Sequence, residues 1–459
     1  MSDAERPGTR RDIQDSAIHR RFVEKNQNSF EHAQRARKCV PTGTSRALLK
    51  HPPFPFYLAH AEGVHGTDLD DNTRIDFHNN YTAQIHGHAH PRINATVEHQ
   101  LPHGTAYSAP GAQEYELAKL LCERIGSIEQ VVFNNSGSEA VMVALRCARA
   151  HTGRNKIGVF EGAYHGASDF VMVGGHDLPA PDDPRRITRP APDVGGLPLA
   201  ATEDAVLIRY NDPQAVREAV SRYGSELAAI LVDPILGGGG VIPADAEFLK
   251  VLREETARAG IVFICDEVIT LRVALGGAQG YYGIQPDLTT MAKIIGGGFP
   301  IGAVGGRREF MRRFGEPEEG GMVANLGTFS ANPISVCAGF EAMQMLDEAA
   351  IGHINELGEK ARSGITQAIG RHEAPAQVTG AGSLFQIHWT TLPVTDARRA
   401  HMGDAELTLL LFLGLCNRGI HLSMRGMAAV STPMGEEHVD ALTGAFDDTL
   451  AELRSEGWW

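Results

Sequence analysis

The chain has 459 residues, enough for two or three domains of roughly 150 residues each and far more than a small stapled module. A net charge of −14, from 42 basic and 56 acidic side chains, excludes nucleic acid as the main partner, because a phosphate backbone demands clustered lysine and arginine. A hydrophobic content of 42% and a charged content of 21% are those of a folded globular chain rather than a disordered one. Six cysteines, at 39, 122, 147, 265, 337 and 416, form no CxxC pair, which favours reduced thiols in a reducing compartment. The first thirty residues contain no apolar core of a targeting peptide, and no run approaches the roughly 20 apolar residues of a membrane span. The expectation is a cytoplasmic protein with no membrane partner.

In chain order, residues 1–38 read as a polar lead-in followed by a helix touching its surroundings through Phe22, Phe30 and Ala33. A turn then carries Arg46 into an apolar run. Residues 52–78 alternate short apolar runs with turn signals, as a small antiparallel meander does. Tyr81 follows, then His86, His88 and His90; alternating histidines can line a strand, but no carboxylate or cysteine completes a ligand set, and no metal site is assigned. Glu114 to Ile125 is an amphipathic helix and Val131-Val132-Phe133 a short strand. Next comes Asn135-Ser136-Gly137-Ser138-Glu139, in which Ser136 and Glu139 make a capping box at the start of a helix ending near Gly153. A strand, a turn of small residues and a capped helix make an anion site, so backbone N–H groups and the hydroxyls of Ser136 and Ser138 are candidate phosphate ligands.

The strand Lys156 to Phe160 leads to Tyr164, whose ring, with glycines at 162 and 166, suits stacking on a flat heteroaromatic group. Residues 173–200 are rich in Pro, Gly and Asp and read as a long surface loop that could close over a site. Leu227 to Val232 is a buried strand ending at Asp233, and a helix over 245–259 returns to the strand Ile261 to Cys265. That strand delivers Asp266 at its carboxyl end, where open α/β sheets hold ligands. Lys293 stands after an apolar run and before Gly296-Gly297-Gly298, the housing of a lysine that forms a Schiff base with an aldehyde. Lysine and strand-end aspartate together suggest pyridoxal phosphate, the aspartate keeping the pyridine nitrogen protonated. Strands alternating with helices from about 130 to 305 predict a doubly wound, mostly parallel α/β sheet. Helices near 333–347 and 355–370, with strands near 385 and 420, predict a smaller α+β lobe. The expected division is an N-terminal segment with part of the small domain over 1–85, a large cofactor-binding domain over 86–330 and the rest of the small domain over 331–459.

With these pieces in order, the chain resembles the class III aminotransferases of the fold type I pyridoxal-phosphate enzymes, over roughly residues 35 to 450. The likeness runs through Asn135 to Ala140, Tyr164-His165-Gly166, Asp266-Glu267-Val268, Lys293 with its three glycines, and Gly327-Thr328-Phe329. It implies pyridoxal 5'-phosphate as cofactor, with Lys293 as the Schiff-base lysine and Asp266 on the pyridine nitrogen. Tyr164 and Val268 would take the two ring faces, and Gly137 and Ser138 the phosphate. Thr328 would reach the site of the other subunit, so a homodimer with shared active sites is implied. His165 and Asp233 would lie close around the ring; Asp233 departs from the family pattern, which has glutamate. Arg272 to Gly283 resembles glutamate semialdehyde aminomutase, whereas Arg46 and Ser423-Met424-Arg425-Gly426 resemble β-phenylalanine aminotransferase. The resemblance implies a transaminase moving an amino group from a β-amino acid or amine to a keto acid, with Arg46, Arg425 and Tyr81 as substrate contacts. The alternatives are an aminomutase or racemase using the same lysine and, last, a cofactor-binding protein without turnover.

Overall fold

The structure, a computed structural model, describes residues 12–174 and 178–459. Its centre is an eight-stranded sheet. Strands β1 (Leu58–Glu62), β2 (His65–Asp68) and β3 (Thr73–Asp76) form the expected antiparallel meander to one side. The central sheet is built from β4 (Gln130–Asn134), β5 (Lys156–Phe160), β6 (Ile187–Thr188), β7 (Ala205–Ile208) and β8 (Leu227–Val232). A short hairpin of β9 (Ile235–Leu236) and β10 (Ile242–Pro243) intervenes before β11 (Val262–Asp266), β12 (Leu288–Ala292) and β13 (Gly302–Gly306) complete it. The order is β4-β13-β12-β11-β8-β5-β7-β6. Pairings from β12 through β7 are parallel, whereas β13 runs antiparallel to both β12 and β4, and β6 antiparallel to β7. Every residue of β8 and β11 is buried, which is why both read as near-continuous apolar runs: a parallel sheet covered on both faces leaves no polar side.

The smaller lobe joins both ends of the chain. Strand β14 (Gln377–Ala381) pairs with β15 (Leu384–His388), while β16 (Ile420–His421) lies parallel to β3 and β17 (Met427–Ala429) lies beside β15. Helix Ala405–Asn417 is buried nearly all round, and its Leu410 and Leu411 share one core with Ile18 and Phe22 of the N-terminal helix.

Four expectations need correction. The helix expected before residue 38 is two helices, Ala17–Lys25 and Gln27–Ala36, broken at Asn26, whose amide nitrogen donates to the Phe22 carbonyl and whose oxygen accepts from Arg74; residues 1–11 lie outside the described residues. Phe30 there, 38% exposed, makes its expected contact by packing on Phe54, ring centroids 5.0 Å apart. The helix expected over 355–370 begins a full two turns earlier, at Glu348, because Asp347 caps it through the Ala350 N–H. The stretch 173–200 is not only surface loop: it contributes β6, and buried Thr188 donates to Glu161 Oε1 at 2.6 Å. Finally, the histidines at 86, 88 and 90 line no strand.

Candidate active site

Sheet topology gathers the candidate residues at one edge. Asp266 ends β11, Lys293 follows the last residue of β12, Asp233 follows β8, and Tyr164 and His165 follow β5. All four connections leave the carboxyl ends of parallel strands, the edge at which open α/β sheets bind ligands. Register makes the neighbourhood tight: Cys265 pairs with Val232, so Asp266 and Asp233 stand on adjacent strands, and Asp266 pairs with Thr290, three residues before Lys293.

Asp266 is held at both oxygens. Its Oδ1 accepts from the Val268 N–H at 3.0 Å and its Oδ2 lies 2.7 Å from His165 Nδ1. The buried imidazole therefore fixes the carboxylate's plane. Asp233 Oδ2 accepts from the Gly237 N–H at 2.8 Å, and burial, reinforced by the charge of Asp266, pushes its carboxyl well above the ordinary range. Lys293 is half-buried. Loss of water around its amine lowers the pKa to about 8, against the pull of Asp266 and Asp233 and with a further push from Arg46. A lysine near neutrality is a nucleophile and a base at working pH. Its backbone sits at φ 52, a left-handed conformation that costs a non-glycine residue about 1–2 kcal/mol and persists where the surroundings impose it.

The phosphate candidates start helix Gly137–Thr152. Ser136 Oγ accepts from the Glu139 N–H at 3.2 Å, but Glu139 Oε2 accepts from Asn135 N at 2.7 Å rather than from Ser136. The expected capping box is thus shifted by one residue on its return side. Gly137 and Ser138, in the first turn, have N–H groups outside the intrahelical ladder. Ser138 Oγ accepts from Ala167 N at 3.0 Å, leaving its proton free to donate. A Cβ on Gly137 would lie 3.2 Å from Val268 and 3.3 Å from Ala292, so glycine lets the helix start approach the end of β12 closely. Gly302 of β13 does the same from behind, for a Cβ there would collide with the Ser136 carbonyl.

The remaining candidates meet at Tyr81. Arg46 Cζ lies 5.5 Å from the centroid of its ring, and its hydroxyl donates to the Leu48 carbonyl at 3.0 Å. Burial raises the phenol's pKa, while Arg425 and Arg46 draw it down. Neither arginine has a carboxylate partner among the described residues, and both are exposed. Tyr164 is 55% exposed. Thr328 is exposed too, on a loop pinned to β4 by Asn325, whose amide donates to the Phe133 carbonyl at 2.8 Å. Of the three histidines, His88 Nε2 lies 2.8 Å from Asp76 Oδ2. His86 uses both ring nitrogens, on Thr432 Oγ1 and the Ala342 carbonyl, and burial lowers it to about 4. Among the described residues no group of three or more His, Cys, Asp or Glu is arranged to hold a metal.

A profile described as aminotransferase class-III matches residues 49–443. The chain belongs to the class III aminotransferase family. Among curated relatives, the glutamate-1-semialdehyde 2,1-aminomutase of Methanothermobacter thermautotrophicus is 37% identical over 93% of this chain and 100% of its own length. Among solved structures, an omega-transaminase from Sphaerobacter thermophilus is 41% identical with a TM-score of 0.89, over 93% of this chain and 98% of that one. A β-phenylalanine aminotransferase from Variovorax paradoxus is 33% identical with a TM-score of 0.87, over 95% and 97%. The fold is that of the fold type I enzymes, and pyridoxal 5'-phosphate is the cofactor.

The residues present fit that group. Asp233 Oδ1, Thr290 Oγ1 and His165 Nε2 are buried polar atoms without a partner among the described residues, all within one strand or one side chain of Asp266, and such atoms are rare unless something fills the space beside them. Three features had not been derived from sequence. The His165–Asp266 bond has no local signal, since 101 residues separate the pair. The approach of Ser423 to the Tyr81 phenol likewise joins distant segments. The backbone beneath Tyr81 is the third: Asn79, Asn80, Tyr81 and Thr82 all have positive φ, at 49, 49, 53 and 72, and the one hint was the Asn-Asn pair, since asparagine tolerates that region best after glycine.

Proposed function

We propose that this chain is a pyridoxal-phosphate-dependent aminotransferase whose donor, a β-amino acid, and keto-acid acceptor both carry carboxylates. The observation that supports it most is that two guanidiniums without carboxylate partners among the described residues, Arg46 and Arg425, both act on Tyr81, Arg46 from over its ring. An arginine fork matches a carboxylate with two parallel bonds and keeps its charge when partly dried. Two such forks suit a site that takes two carboxylate substrates in turn.

The cofactor, when bound, supplies an aldehyde that takes up the amino group and a ring that accepts the electron pair released at the donor carbon. Lys293 would hold that aldehyde, and its amine, when free of it, would move the proton from the donor carbon. Its amine, lowered to about 8, suits that task because a base works best near the operating pH. Asp266, oriented by His165, stands ready for the protonated pyridine nitrogen. Burial of Asp233, which pushes its carboxyl up, disfavours a second charge beside it. Tyr164 and Val268 take the ring faces. Ser136, Gly137 and Ser138 take the phosphate, with Thr328 of the partner subunit in a homodimer. We place the domain limits at 1–85, 86–330 and 331–459, and the enzyme in the cytoplasm.

A second reading, an aminomutase that moves the amino group within one molecule, is favoured by the names of curated relatives at 37% identity. The two differ in their need for an acceptor. The loaded enzyme is given β-amino acids and glutamate-1-semialdehyde one at a time, with and without pyruvate or 2-oxoglutarate, and products are separated by chromatography. Turnover of a β-amino acid only in the presence of a keto acid supports the aminotransferase. Sustained conversion of the semialdehyde without acceptor, and none of the β-amino acids, makes it the aminomutase.

A further inference from the structure

Arg46 is an exposed side chain on a segment without regular strand or long helix, a poor base for an orienting contact. Yet its guanidinium has a fixed seat. Nη1 donates to Asn80 Oδ1 at 2.5 Å, and the Tyr81 ring lies beneath its Cζ. Both contacts come from the left-handed turn over residues 79–82, which contains no glycine.

That turn is pinned at several points. Asp76 Oδ1 accepts from the His78 and Asn79 N–H groups at 2.9 and 3.0 Å, and the Asn79 side chain donates to the Ala429 carbonyl at 2.7 Å. At the other end Arg272, fully buried, donates from Nη1 to the Thr82 carbonyl at 3.2 Å, from Nε to Ser383 Oγ at 2.9 Å and from Nη2 to the Val430 carbonyl. Arg272 has no carboxylate partner among the described residues; its charge is spent on backbone and hydroxyl oxygens. Strain imposed on four non-glycine residues by buried clamps is the pattern of a functional constraint.

We propose that Asn80 is a positioning residue that aims Arg46 at the substrate carboxylate, the left-handed turn being the device that presents it. The inference rests on the reading of Arg46 as a carboxylate contact. The choice of residue type supports it. An amide oxygen and a phenol face orient a guanidinium without neutralising it, whereas an aspartate would cancel the charge the substrate needs. Nη1 alone is engaged, and Nε and Nη2 have no protein acceptor among the described residues, so one edge of the fork stays open for a bidentate ligand.

The experiment uses the loaded enzyme with Asn80→Gly, Arg46→Ala and the double variant, measuring kcat and KM on a carboxylate-bearing donor and on an amine of the same shape lacking it. Glycine tolerates φ > 0 freely, so Asn80→Gly keeps the turn and deletes only the amide. We expect KM for the carboxylate donor to rise about tenfold, the scale of one bond to a charged group, with kcat within about twofold, the amine unaffected and the thermal midpoint not lowered. On the Arg46→Ala background Asn80→Gly should add nothing. If Arg46→Ala shows no carboxylate-selective loss, the reading of Arg46 fails. If it does, but Asn80→Gly leaves KM unchanged, weakens both donors equally or adds its full effect to Arg46→Ala, the positioning role is overturned.

Discussion

The lysine at the end of β12 offers a prediction that needs no substrate. With its pKa lowered to about 8, Lys293 in the cofactor-free protein is free amine to about 9% at pH 7, about half at pH 8 and about 90% at pH 9. An ordinary lysine, near 10.4, would be roughly two-hundredfold less available at pH 7. The rate at which the stripped protein captures pyridoxal phosphate, followed by the visible absorbance of the loaded form, should therefore rise about fivefold from pH 7 to 8 and less than about twofold from 8 to 9. The sign of each neighbour can be tested on the same curve. Asp266 raises the lysine's pKa, so Asp266→Asn should move the midpoint to lower pH; Arg46 lowers it, so Arg46→Ala should move it higher. A rate climbing about tenfold per unit through pH 9 and beyond would show an unperturbed amine and refute the desolvated setting assigned to Lys293.

Arg425→Ala should cost about tenfold to over a hundredfold in kcat/KM on a carboxylate donor and little on a simple amine; equal losses on both would reduce Arg425 to a surface charge. Arg398 meets Glu161 in a buried two-point pair at 2.7 and 2.7 Å, two residues before Ala163 and the Tyr164 segment. Arg398→Met leaves that carboxylate with Thr188 and should lower unfolding free energy by about 3–5 kcal/mol, read by denaturant titration; a loss below about 1 kcal/mol would mean that the pair carries no weight. Ser136→Ala removes the cap on the Glu139 N–H and should cost about 1 kcal/mol in stability, together with weaker retention of the cofactor on dialysis; unchanged retention would argue against a phosphate site there.

Much of this arrangement is legible along the chain because it is local. The six apolar residues of β8 and the run before Asp266 announce buried parallel strands. Ser136 and Glu139 announce a helix start, and Lys293 before three glycines marks a lysine set apart from surface ones. What is missing from the sequence is set by contacts between distant segments. Nothing near Ile420 says that it will lie beside Ile75, and nothing near Gly302 says that β13 runs against its neighbours. The return side of the capping box missed by one residue, since the Asn135 and Ser136 N–H groups compete for the same carboxylate. The left-handed turn at 79–82 is the largest omission. Local propensity disfavours it, and Asp76 just before it, together with Ala429 and Arg272 brought from distant segments, holds it.

The central claim is that Lys293 holds pyridoxal phosphate at the carboxyl edge of the sheet. The loaded protein is treated with borohydride, which fixes the lysine–cofactor bond as a stable amine, then digested and its peptides weighed. The account predicts one modified peptide, carrying the added mass at Lys293, and none from a Lys293→Ala variant treated alike. Modification at another lysine with Lys293 untouched, or no fixed cofactor in protein shown to contain it, would contradict it.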